Sequence, residues 1–173
     1  MSDLIAIGSR KLLVLLLILI GFAGCTHRVS IEQYPMKEGM VTAFLGELPV
    51  NVINAQDSAE EVLISQIGVH KYLVDLQKVT DTAIKVLESE LHERNIVTTI
   101  EAEKKIELAI TDVDLGFARC ILHLKVETGD GYTRVFTGYN NSPWKINRAC
   151  GGAVTRAVAA MLNDDTILAY LKH

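Results

Sequence analysis

Aromatic residues make up only 6% of this 173-residue chain, and proline occurs three times. So little proline, with no glycine period, excludes collagen-like and low-complexity architectures. Hydrophobic residues reach 49%, too many for an intrinsically disordered chain. A basic surplus is also missing. Lys and Arg number 17 against 21 Asp and Glu, a net charge of −4, which argues against a nucleic-acid partner. Catalytic and metal motifs are absent. His27, His70, His92, His123 and His173 are scattered, with no i, i+4 pair and no Cys-x-x-Cys frame. There is no Gly-x-Ser-x-Gly and no supported Ser-x-x-Lys. Gly151-Gly152 lacks the remainder of a phosphate loop and more simply lets a helix sit close to a sheet. The carboxylate pairs Glu60-Glu61, Asp112 with Asp114, and Asp164-Asp165 read as solvated strand and helix ends. The expectation is a protein without catalytic residues, metal or bound cofactor.

The amino terminus carries the most specific signal. Arg10 and Lys11 precede an unbroken apolar run from Leu12 to Ile20, which continues through Gly21 to Cys25. Its apolar part falls short of the roughly 20 residues that a spanning helix needs. It has instead the length of a signal-peptide core behind a positive flank. Phe22-Ala23-Gly24-Cys25 resembles a bacterial lipobox, in which small residues precede a lipid-accepting Cys, although Phe22 stands where Leu or Val is usual. The alternative is an ordinary secretory signal with a chance Cys. The resemblance implies removal of residues 1–24 and a diacylglycerol and an N-acyl chain on Cys25. Two or more chains anchor stably where one is marginal. Thr26, rather than Asp, follows the Cys, which in the same family pattern implies the outer membrane, facing the periplasm.

Residues 25–48 read as a tether, because Pro35, Gly39 and Gly46 interrupt a stretch with no apolar period. Residues 49–173 read as one domain. Val50, Val52 and Ile53 form a short β-rich run, and Val62-Leu63-Ile64 with Ile67 a second apolar patch closed by Gly68. Leu76, Val79, Ala83, Val86, Leu87 and Leu91 recur at helical spacing over 75–95, with Asp75 as the cap and Asn95 as the stop. Three alternating runs follow: Ile106-Leu108-Ile110, Cys120-Leu122-Leu124-Val126, and Thr133-Val135-Tyr139. Period two with one polar face predicts an antiparallel sheet, and Thr128-Gly129-Asp130-Gly131 a hairpin turn. A last helix over 145–163 carries a small-residue stripe, and Ile167 to Leu171 close the core edge. The predicted fold class is α+β: a two-layer sandwich of mostly antiparallel sheet with two helices packed on one face.

Val50-Asn51-Val52-Ile53-Asn54, Ile67-Gly68, Val86-Leu87 to Ile96, and the stripe Ala153 to Leu162 together resemble the YajG-like bacterial envelope lipoproteins. The pattern is also similar to auxiliary lipoproteins of ABC transporters that move lipids. The family turn often has an acidic residue and an Arg where this chain has Asn54 and Gln56. What the resemblance implies is a non-enzymatic periplasmic module. Its role would be that of a stand-alone binding protein, a transporter auxiliary subunit, or a component of an envelope assembly, secretion or flagellar complex.

Cys120 shares the apolar parity of its strand with Leu122 and Leu124, and Cys150 lies on the apolar stripe of the last helix. In an oxidising compartment these two are placed to bond; two free buried thiols are the alternative. Tyr132, Tyr139 and Trp144 gather near Arg134, Lys145 and Arg148. Tyr139, Trp144 and Arg148 are the candidate contacts to a protein partner.

Overall fold

The computed structural model describes residues 25–46, 48–57, 59, 61–117, 119–142 and 145–172. Residues 1–24, expected from the sequence to be a signal peptide, and Trp144 lie outside the described residues.

The strands are β1 (Thr26–Arg28), β2 (Val50–Asn54), β3 (Glu61–Ile67), β4 (His70–Asp75), β5 (Lys104–Leu115), β6 (Arg119–Thr128) and β7 (Thr133–Asn141). The helices are α1 (Leu76–Glu93), α2 (Ile146–Leu162) and α3 (Asp165–Lys172). One sheet has the order β2-β5-β6-β7 and the other β1-β4-β3. The β2–β5 and β1–β4 pairs are parallel and the rest antiparallel. This is the α+β sandwich that the alternating runs predict. α1 packs on β2 and β5, α2 on β6 and β7, and the two helices touch each other. Ile106, Leu108, Ile110, Leu122 and Leu124 on the strands and Leu87, Leu91, Val154 and Met161 on the helices are fully or almost fully buried between them.

Local chemistry sets the helix ends. The Asp75 carboxylate accepts the amides of Gln77 and Lys78 at 3.0 and 3.3 Å, as an N-cap should. At the other end Asn95 takes φ 60°. Its amide donates to His92 O at 3.0 Å, and that of Ile96 to Leu91 O at 2.9 Å, the paired bonds of a Schellman stop. Asp164 caps α3 by accepting from Thr166 and Ile167 at 3.0 and 3.1 Å.

The structure corrects the sequence reading at four places. First, 25–48 is not a free tether. β1 joins the smaller sheet, and Ile31 and Phe44 enter the core. Isolated apolar residues have no period for a sequence to show. Second, β5 runs beyond Ile110 to Leu115. A register shift between Ile110 and Asp112 switches the buried parity to Val113 and Leu115, so alternation fails there although the strand continues. Third, β7 turns Phe136 and Gly138 inward, not Val135 and Tyr139, which are 50% and 42% exposed. Pairing sets this: Leu124 faces Phe136 and Leu122 faces Gly138. Fourth, 70–75, assigned no element from the sequence because its apolar residues do not alternate, is a strand in a hairpin with β3.

Candidate functional site

Arg148 lies near the amino-terminal end of α2, whereas Tyr139 turns its ring outward from β7 and reaches this helix only through its backbone carbonyl, which accepts from Arg156. At that end of the helix the 34–40 segment, the end of β7 and one face of α2 enclose a groove of about 630 Å³, within the usual range for ligand sites. Glycines let these parts approach. A Cβ on Gly151 would lie 2.4 Å from Glu32 O and from the Tyr34 ring, and one on Gly152 would lie 2.2 Å from Asn140 Nδ2. The Gly-Gly pair therefore seats the amino-terminal segment and the β7 end. The residue that brings the helix close to the sheet is Gly138, whose Cβ would fall 1.9 Å from Ala153 O. Thr155 Oγ1 donates to Tyr34 O at 2.8 Å, and Asn140 Nδ2 donates to Arg148 O at 3.1 Å.

The lining is basic. Lys37, Arg148 and Arg156 border the groove, and no carboxylate among the described residues lines it. The Arg148 guanidinium lies 5.9 Å from the centre of the Tyr34 ring, and Arg156 donates to the Tyr139 carbonyl at 2.8 Å. None of the ion pairs among the described residues uses these three cations. Arg148, Gly152 and Arg156 recur every four residues, so they share one face of α2. Such an arrangement can hold an anion by charge and by hydrogen-bond donors.

The remaining members of the predicted aromatic cluster lie elsewhere. Tyr132 and Arg134 sit at the opposite end of β7 from Tyr139, roughly 20 Å away for a strand of this length. Both reach Asp164: the Tyr132 hydroxyl donates to it at 3.4 Å, and Arg134 forms an ion pair with it. The proximity of Lys37 to Arg148 has no signal in sequence, because Lys37 comes from the segment expected to be a tether, whereas the four-residue spacing of Arg148 and Arg156 through Gly152 within a predicted helix does place them together.

Cys120 and Cys150 form a disulfide with their Cα atoms 5.0 Å apart, as strand parity and helix stripe indicate. Cys25 is free and exposed, and its carbonyl accepts the Lys71 amide at 2.9 Å. Pairing of β1 with β4 also joins two histidines 43 positions apart: His27 Nε2 and His70 Nδ1 share a hydrogen bond of 2.9 Å, and Tyr72 stacks on His27. Among the described residues no three His, Cys, Asp or Glu side chains gather as a metal site, and no helix is long and apolar enough to cross a membrane. No family model matches the chain, and no curated protein matches it.

Proposed function

We propose that this chain is a lipid-anchored lipoprotein of the bacterial cell envelope. Its α+β domain faces the periplasm from the outer membrane and works by non-catalytic binding. The observation that carries this is Phe22-Ala23-Gly24-Cys25 behind Arg10, Lys11 and a short apolar run. Two features support it. Cys25 is exposed and unpaired, whereas Cys120 and Cys150 are bonded, and stable disulfides belong chiefly to exported proteins. The groove under Arg148 and Arg156 offers cations and hydrogen-bond donors. A protein or ligand presenting negative charge suits it.

The test expresses the full chain and its Cys25→Ser variant in a Gram-negative host. Parent protein is expected in the membrane fraction, with an amino-terminal peptide that begins at an acylated Cys25. The variant is expected in the soluble fraction. A parent chain that keeps residues 1–24 and an unmodified Cys25 overturns the proposal.

A further inference from the structure

We infer that the tip of the β3–β4 hairpin is a membrane-contacting element, laid on the phospholipid surface by the anchor at Cys25. Resting on the lipoprotein reading above, this contact follows from chain direction. β1 and β4 are parallel, with Thr26 opposite Lys71, so the amino-terminal ends of both strands lie at the same end of their sheet. The Cys25 carbonyl is bonded to the Lys71 amide. Val69, in the turn, is two residues from Lys71, about 7 Å of extended chain. Acyl chains on Cys25 therefore enter a bilayer beside this turn.

The tip has the chemistry for that position. Gly68, at φ +60°, starts a two-residue turn between Ile67 and His70, which suits a Gly at the first central position. The second turn residue is Val69, 57% exposed, and Ile67 next to it is 45% exposed. Hairpin apices ordinarily carry Gly, Asn, Asp or Ser, so a β-branched apolar residue held outward there is unusual for a surface meeting only water. Lys71 and the His27–His70 pair lie beside the tip. Arg28, opposite Leu73, is held by Glu61 at the base of the hairpin, and Lys71, the cation next to the tip, takes part in none of the ion pairs among the described residues. An apolar apex with an adjacent cation complements the boundary between acyl chains and anionic headgroups.

The experiment uses the full lipidated chain in vesicles of phosphatidylethanolamine and phosphatidylglycerol. An environment-sensitive fluorophore is attached at Val69→Cys or, as control, at Val135→Cys on β7. The native disulfide and a lipidated Cys25 leave the introduced thiol as the labelling site. At position 69 the emission is expected to shift to the blue and to be quenched by lipids brominated near the headgroup. At position 135 neither is expected. Adding Ile67→Ser should reduce the quenching at 69 without releasing the protein from the vesicles. Water-like emission at 69 in a lipidated, vesicle-bound protein overturns the inference while leaving the anchor intact. A blue shift without lipid quenching assigns the tip to a protein contact and overturns it too. An unmodified Cys25 by mass overturns both this inference and the reading on which it rests.

Discussion

Thr80 Oγ1 accepts the backbone amide of Ile110 at 3.1 Å, with both residues fully buried. The register of β5 against β6 shifts just beyond Ile110, and a bulge leaves backbone groups without ladder partners. A side chain from α1 meets this one. Thr80→Val keeps the shape but removes the acceptor, and a buried donor left unsatisfied costs about 1–3 kcal/mol. Thr80→Ser should retain most of the stability. Urea unfolding of the two variants measures the difference, and equal midpoints would refute the role of this bond.

Cys120 and Cys150 tie β6 to α2 across a separation of 30 residues. Cross-linking a loop of that size removes entropy from the unfolded chain equivalent to about 3–4 kcal/mol. The Cys120→Ala/Cys150→Ala protein should be destabilised by that order or more, since its side chains also leave the core. Thermal unfolding of the parent with and without reductant separates the cross-link from the packing. A melting temperature indifferent to reduction would contradict the expected contribution.

The disulfide and both long helices are legible because one surface carries each signal. Cys120 shares parity with Leu122, and Cys150 shares a stripe with Val154 and Met161, so covering one with the other brings the sulfurs together. Asp75 and Asn95 are legible as cap and stop because their roles involve only neighbours. What stays hidden is set by distant pairing. Thr42 donates to Asn163 Oδ1 at 2.8 Å, and Asn163 Nδ2 donates to Met40 O at 2.7 Å. No local pattern announces bonds between residues 121 and 123 positions apart. The basic groove inherits this blindness. Arg148 stands out beside aromatic residues, but Lys37 and Tyr34 reach it only once Ile31 and Phe44 have docked their segment.

That docking depends on Gly151, and its loss should differ from that of Gly138. A Cβ on Gly138 meets the Ala153 carbonyl at 1.9 Å, so Gly138→Ala pushes α2 off the sheet. Overpacking of this kind typically costs about 1–3 kcal/mol. Gly151→Ala instead meets Glu32 O and the Tyr34 ring, and the segment can yield without the core. Hydrogen exchange should show faster exchange over 31–42 in Gly151→Ala with α1 and α2 still protected. In Gly138→Ala the α2 amides should exchange faster. Uniform loss of protection in Gly151→Ala would mean that the segment is integral to the fold.

Arg148 and Arg156 give the groove its charge, and inorganic phosphate is a direct probe of it. Charge-assisted donors around an anion strengthen one another where water is partly excluded, whereas scattered surface cations are screened by salt. Phosphate titration of the full chain in detergent should therefore shift the backbone amides of Asn141, Ser142 and Gly152 saturably. Added sodium chloride should weaken the binding. Arg148→Ala/Arg156→Ala should reduce the affinity about tenfold or more, on the order of 1.4 kcal/mol. Lys85→Ala, a cation on α1 outside the groove, should not change it. A linear, unsaturable response that Lys85→Ala diminishes as much as the double variant would show general charge attraction rather than a built anion site, and the partner would then have to be sought on the exposed face of Tyr139.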